Sequence, residues 1–284
     1  MTGILACIDG SIYSQSVCEH AAWAGRRTSR PVEVLHALGR REVSSVPANL
    51  SGNLDAGESE TLLAELSSLD AQRAKLAQKR GRLLLDDAKA RIEAAGAGEV
   101  TVRLRNGDIV DAVAQTGAGS RLVVIGKRGE AADFASLHLG SNLERVVRAS
   151  SEPVLVAARA WRPIRRFLLA YDGGPSASRA VDLALGDPLL HGLECHLLMA
   201  GNGEGGAGAR LEAAAARLRA GGFEVQARVE PGDAEDVIAR AVEEHAIDLL
   251  VMGAYGHSRI RALIIGSTTT ALVRSCRIPV LLVR

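Results

Sequence analysis

The residues best suited to chemistry in this chain are two Asp-Gly pairs and two glycine-spaced loops, each found once in either half. Asp9-Gly10 ends the apolar run Ile4 to Ile8, and Asp172-Gly173 ends the run Phe167 to Tyr171. An ionised carboxylate only accepts hydrogen bonds, so it suits an amino group or sugar hydroxyls and repels phosphate. Taken alone, an Asp-Gly pair is also an ordinary helix cap or turn. Gly126 and Gly129 follow the run Leu122 to Ile125, with Gly140-Ser141-Asn142 beyond them; Gly253 and Gly256 follow Leu249 to Met252, with Gly266-Ser267-Thr268 beyond. Glycines at the end of a strand let the backbone turn with positive φ and let a ligand approach closely. Each Gly-Ser pair reads as a helix start, whose free N–H groups and positive dipole end favour an anion such as phosphate. A carboxylate at one end and an anion cradle at the other make each copy read as a nucleotide pocket.

Those residues need a scaffold that brings the end of one strand beside the end of another. Short β-branched-rich runs fall at 3–8, 32–38, 100–104, 122–126 and 153–158, and again at 166–171, 193–199, 223–229, 248–253 and 279–283. Between them lie stretches with helical spacing. Continuous apolar runs predict strands covered on both faces, and intervening helices predict parallel pairing through right-handed crossovers. The expected fold class is α/β, two tandem doubly wound domains, with the ligand crevice beyond the carboxyl ends of the strands where strand order reverses.

The segment Ala158 to Arg166, with Pro163, reads as a short linker. Domains are expected at 1–159 and 160–284, divided near Trp161. Asp9 and Asp172 are 163 positions apart, whereas Gly107-Asp108 and Gly232-Asp233 are 125 apart, so the first half carries 38 extra residues between its second and third strands. They occupy an inserted region about 40–95, polar from Arg40 to Gly57 and helical from Ser59 to Ala95. Leu62, Leu66, Leu69, Leu76 and Leu83 share one face of that helix, interrupted by Arg73 and Arg80. The plainer expectation is a crossover helix packed on its own domain; the sharper one is a surface for a protein partner or a second copy.

Composition narrows the class of protein further. The 284 residues contain 34 Lys and Arg against 33 Asp and Glu, a net charge of +1 that favours neither nucleic acid nor an anionic membrane. Cys7, Cys18, Cys195 and Cys276 are scattered without a close pair, which fits a reduced, cytoplasmic setting. The N-terminus lacks the pattern of a signal peptide, and no apolar run is long enough for a membrane span.

The second-half pattern Gly253-x2-Gly256-x9-Gly266-Ser267, followed by Ala-Leu-Val-Arg-Ser-Cys-Arg-Ile-Pro-Val-Leu-Leu-Val, resembles the nucleotide-binding branch of the universal stress protein family. The resemblance covers nearly all of both halves. It implies a tandem protein with a five-stranded parallel sheet per domain, strand order 3-2-1-4-5, and ATP held between the first and fourth strands. By this likeness Asp172 meets the adenine or ribose end and Gly253 and Gly256 line the ribose and phosphate path; Gly173 and Met252 adjoin them, and His257 is a candidate to touch a phosphate or an ordinary solvated loop histidine. Gly266, Ser267 and Thr268 would hold the phosphates, with Mg²⁺ as a companion ion. The matching first-half set is Asp9, Gly10, Gly126, Gly129, Gly140, Ser141 and Asn142. There the spacing from Gly129 to Gly140 encloses ten residues and includes Glu130 and Asp133, which repel a triphosphate unless turned away or used for a metal. The second copy is thus the better-formed pocket. The family's last strand commonly makes a dimer contact, so Pro153-Val-Leu-Val and Pro279-Val-Leu-Leu-Val are expected to pair as an intrachain pseudo-dimer.

The implied role is a stress-response sensor or regulatory binding module. Slow ATP hydrolysis or phosphoryl transfer is the alternative, weakened by the lack of a P-loop, a Walker carboxylate and a general base. A nucleotide-free interaction scaffold is the third reading. Gly201-x-Gly203-x2-Gly206 formally matches a dinucleotide fingerprint, but it follows the second strand of its repeat and has no counterpart in the first half. No catalytic or metal-ligating set can be assembled from the histidines. Lys127 and Arg128 are the cationic candidates in the first glycine loop, with an exposed loop charge the plainer reading, and His36 and Tyr255 either pack beside a base or fill the crevice mouth.

Overall fold

The computed structural model describes residues 3–39, 56–117, 119–127, 141–202, 206–254 and 267–284. The first half contains β1 (Gly3–Ile8), α1 (Ser14–Thr28), β2 (Val32–Leu38), α2 (Ala56–Ala94), β3 (Val100–Asn106), α3 (Ile109–Gly117), β4 (Ser120–Gly126), α4 (Ser141–Ala149) and β5 (Val154–Ala157). The second contains β6 (Arg166–Ala170), α5 (Pro175–Gly186), β7 (Glu194–Ala200), α6 (Ala207–Ala220), β8 (Val225–Glu230), α7 (Ala234–Glu244), β9 (Leu249–Gly253), α8 (Ser267–Ser275) and β10 (Val280–Val283). Every apolar run expected as a strand is one, with ends shifted by no more than two residues.

All ten strands form one sheet in the order β3-β2-β1-β4-β5-β10-β9-β6-β7-β8. Within each half the pairing is parallel and the order is the doubly wound 3-2-1-4-5. The halves meet through β5 and β10, which pair antiparallel with Leu281 opposite Leu155. Each would otherwise be an exposed sheet edge, and each edge covers the other. Pro153 and Pro279 stand just before these strands, where a missing N–H is harmless, and their carbonyls accept from Val123 and Leu250.

Alternation along the strands divides the buried side chains between two layers. Ile4, Ala6, Leu155, Phe167, Val251 and Leu281 face α1, α2, α5 and α6; Leu5, Cys7, Val156, Leu168, Leu250 and Leu282 face α3, α4, α7 and α8. Both layers run unbroken across the β5–β10 junction. Beyond the sheet, Trp161 of the linker packs against His20 and Trp23 of α1, which ties the connecting segment to the first half.

Polar ties reinforce the junction of the halves. Arg30 pairs with the buried Asp187 at 2.6 Å, and Arg27 donates to the carbonyls of Leu189 and His191. Arg284 donates to the carbonyls of Arg148 and Ser150.

Local chemistry explains where several helices begin. Gly107 and Gly232 adopt φ of 117° and 128°, which only glycine takes readily, and turn the chain out of β3 and β8. The aspartates that follow then cap: Asp108 accepts from the Val110 N–H at 2.7 Å and Asp233 from the Glu235 N–H at 2.9 Å. Pro175 opens α5 at the position where its fixed φ costs nothing.

Candidate functional site

Because β1 lies between β2 and β4, the chain order reverses there, and the same holds for β6 between β7 and β9. Each reversal opens a crevice at the carboxyl ends of the strands. Ala170 is registered against Met252 in the second half, so the Asp172-Gly173 turn emerges beside the end of β9. In the first half Cys7 is registered against Ile125, which places Asp9-Gly10 beside Gly126.

Both Asp-Gly turns share one geometry. Gly10 and Gly173 take φ of 78° and 76°, and each aspartate accepts, through Oδ1, the backbone N–H two residues on: Ser11 at 3.0 Å and Gly174 at 2.7 Å. The carboxylates thus shape their own turns, the plainer role open to an Asp-Gly pair. In the first half Ser14 adds to this, its Oγ accepting from the Gly10 N–H at 3.0 Å. The Cys7 thiol just below is pushed up to about 12 by burial, with the Asp9 charge adding to the effect, so it is an inert core group.

Ser141 and Ser267 are the first residues of α4 and α8, as a Gly-Ser helix start requires. In the second half the helix start is tied to the strand end: Thr269 Oγ1 donates to the Gly253 carbonyl at 3.2 Å. Ser267 is exposed and Thr268 half-buried at this N-terminus, while Met252 is buried beneath it. Asn142 is exposed in the first turn of α4. Gly253 has a further reason to be glycine. A Cβ there would stand 2.7 Å from Ser176 Cβ and 3.3 Å from the Ala177 nitrogen, so β9 ends in close contact with the start of α5. Gly129, Gly140, Gly256, His257 and Gly266, with Arg128, Glu130, Asp133, Gly203 and Tyr255, lie outside the described residues.

Two polar side chains stand at the end of the first half's strands. His36 is buried opposite Ile8, the residue before Asp9, its Nδ1 within 2.9 Å of the Ile8 carbonyl. Lys127 reaches across to the second half, where its ammonium donates to the Cys276 carbonyl at 2.6 Å.

Arginines that the sequence does not flag approach both turns. A Cβ on Gly10 would lie 3.3 Å from Arg80 Nη2 and 3.0 Å from Leu84 Cδ1, and one on Gly173 would lie 3.1 Å from Arg210 Nε. Arg80 comes from α2 and Arg210 from α6, the helices that follow the second strand of each half. The two guanidiniums therefore bring positive charge to equivalent places, although no short motif links them to the aspartates.

Among the described residues no group of three or more His, Cys, Asp or Glu side chains can hold a metal ion, and no helix is long and apolar enough to cross a membrane. What the described residues bring together at each strand reversal is a backbone turn shaped by its own carboxylate, an arginine beside that turn and a helix start.

Fold and crevice together define a class: tandem doubly wound α/β proteins whose halves pair through their last strands. The family model described as universal stress protein family matches residues 1–158 and 163–284. The chain belongs to the universal stress protein family. It is 38% identical over 287 residues to a curated universal stress protein of Synechocystis sp., covering 100% of both chains. Among solved structures, a universal stress protein from Archaeoglobus fulgidus superposes with a TM-score of 0.73 at 22% identity, over 99% of this chain and 96% of that one. A putative universal stress protein from Pseudomonas aeruginosa gives 0.63 at 17% identity, over 100% and 93%. These likenesses show the tandem fold.

Proposed function

We propose that this chain is an ATP-binding regulatory protein of the stress response, and that its principal nucleotide pocket is the crevice of the second half. One observation carries the reading furthest: the Asp172-Gly173 turn, the end of β9 and the start of α8 converge, with Thr269 pinning α8 to Gly253. Asp172 would meet the adenine or ribose, and Gly253, Ser267 and Thr268 would follow the path of the phosphates, where the N–H groups of the first turn of α8 compensate negative charge. In the proposed site Gly173 gives the turn its shape, Met252 floors the crevice, and Gly256, His257 and Gly266 complete the loop between. The first half would hold a second pocket through Asp9, Gly10, Gly126, Gly129, Gly140, Ser141 and Asn142, altered by its longer acidic loop. Mg²⁺ would arrive on the phosphates rather than on protein ligands. The proposed units are 1–159 and 160–284, working in the cytoplasm and passing the nucleotide state to a protein partner.

The test is direct: denature the purified protein and identify what is released by chromatography. Co-purified ATP supports the sensor reading. ADP or AMP with measurable turnover replaces it with a slow hydrolase, and a protein that neither releases nor binds adenine nucleotide is a scaffold.

A further inference from the structure

Helix α2 spans 39 residues, about 58 Å at 1.5 Å per residue, and only one stripe of its surface is used by its own domain. Gly81, Leu85, Ala88 and Ile92 recur at helical spacing and are buried against the sheet, so closely that a Cβ on Gly81 would stand 2.8 Å from Leu104 Cδ1. The leucines that dominate its sequence lie elsewhere. Leu69, Leu76 and Leu83 are 50%, 66% and 62% exposed, at strict seven-residue intervals that continue back to the half-buried Leu62.

A seven-residue leucine repeat on an exposed helix is the seam of a coiled coil, with Leu66 and Arg73 at the alternate core positions and Arg80, at the next, turned back toward the Gly10 turn of its own domain. The charges select the partner and its direction. Residues 56–70 contain Glu58, Glu60, Glu65 and Asp70 and no Lys or Arg, whereas 71–82 contain Arg73, Lys75, Lys79, Arg80 and Arg82 and no acid. Two such helices side by side in the same direction set acid on acid and base on base. Turned head to tail, residues 62–70 of each helix lie along the basic 73–81 of the other, while Asp86 and Asp87 come opposite residues 56–58 and add nothing to the match. We propose that α2 is a dimerisation helix that pairs antiparallel with α2 of a second copy of this chain. The two-fold axis lies beside residues 71 and 72, which sets Glu65 against the partner's Lys79 and Leu66 against the partner's Leu76. Arginine at core positions weakens such a seam but fixes its register, because the guanidinium must reach the rim beside an acid.

Sedimentation equilibrium on the full chain tests the pairing. The expected result is a dimer at micromolar concentration that becomes monomeric on combining Leu69→Lys with Leu76→Lys, with unchanged far-ultraviolet circular dichroism. Glu65→Lys alone should weaken the dimer about tenfold, and adding Lys79→Glu should restore it, since both symmetry-related pairs are lost and regained together. Orientation is read by cross-linking, which the four buried native cysteines do not obscure. Under oxidation Gln72→Cys should link to itself, whereas Glu65→Cys should link only when mixed with Lys79→Cys. A chain that stays monomeric, a dimer that survives the leucine pair, or self-linking by Glu65→Cys overturns the proposal. Should the leucine variant fail to fold, the Gln72→Cys cross-link decides on an otherwise unaltered helix.

Discussion

Arg30 at the end of the first crossover and Asp187 at the end of α5 form an ion pair at 2.6 Å that joins the two halves beside the sheet. Asp187 is 4% exposed and spends its other oxygen on the Leu189 N–H at 3.0 Å. Removing Arg30 would leave a buried carboxylate with Arg121 as its nearest cation, 3.9 Å away and more exposed. Arg30→Ala should therefore cost about 2 kcal/mol, below the full penalty for breaking a buried pair because Arg121 compensates in part. The double variant with Asp187→Ala should lose less than the sum of the single losses. Urea unfolding of all four proteins gives the coupling; additive losses would show that the pair does not join the halves energetically.

Placing a carboxylate at the start of α8 should separate binding from stability. Ser267 is exposed at a helix N-terminus, where an acidic side chain is favourable to the helix by about 0.3–1 kcal/mol. Ser267→Asp should raise or preserve the melting temperature while ATP affinity falls at least about tenfold, as the added charge faces the phosphates. Calorimetric titration checks this. ATP affinity unaffected by the new carboxylate would move the phosphates away from α8.

Gly253→Ala should act through packing. The new methyl meets Ser176 Cβ at 2.7 Å and the start of α5, backbone that cannot swing aside as a flexible side chain does. A loss of about 1–3 kcal/mol is expected from overpacking. Hydrogen exchange should find it concentrated in α5 and β9, and protection unchanged there would refute the contact.

His20 supplies a pH dependence. It is buried in α1 with Nδ1 2.7 Å from the Ser16 carbonyl and its ring edge-on to Trp161, while Nε2 has no hydrogen-bond partner. Burial, partly opposed by the hydrogen bond to Ser16, lowers its pKa from 6.5 to about 4. The neutral form is therefore the folded one, and the unfolded chain takes up the proton first as pH falls. The contribution is complete above pH 6.5 and is lost between 6.5 and about 4, up to about 3 kcal/mol. His20→Phe, which keeps an aromatic edge against Trp161, should flatten the fall of the urea midpoint across that window. An equally steep fall in the variant would assign the acid sensitivity to other groups.

The thiols make a simpler check. Burial raises Cys7, Cys18 and Cys195 to about 12 and raises Cys276 as well. None should react with a thiol reagent until the protein unfolds, and prompt labelling of the native chain would contradict their burial.

Much of the fold was legible because continuous apolar runs such as Leu249 to Met252 need cover on both faces, and only a doubly wound sheet provides it for ten of them. The Gly-Ser helix starts were legible for a similar reason, since Ser141 and Ser267 mark a change from turn to helical spacing. The long helix was harder. Its leucine repeat marks an exposed face, whereas the face that packs combines Leu85 and Ile92 with Gly81, whose close approach to Leu104 leaves no hydropathy signal. Ties such as Lys127 to Cys276 and Arg27 to Leu189 end on backbone carbonyls, which every residue offers, so no sequence pattern announces them. No pattern announces Arg210 beside Gly173 either, since no fixed spacing links a helix to the turn it overhangs.

Antiparallel pairing of β5 with β10 has a consequence for traffic between the crevices. All strands of one half run opposite to those of the other, so the two mouths open on opposite rims and no single small ligand can bridge them. Helix α8 nonetheless touches both neighbourhoods. It starts at Ser267 beside the second crevice and runs nine residues, about 14 Å, to Cys276, whose carbonyl is held by Lys127 directly after Gly126 of the first. The ammonium sits where the helix dipole is negative, which strengthens the grip. The rod that begins at one crevice thus ends on a side chain held beside the other.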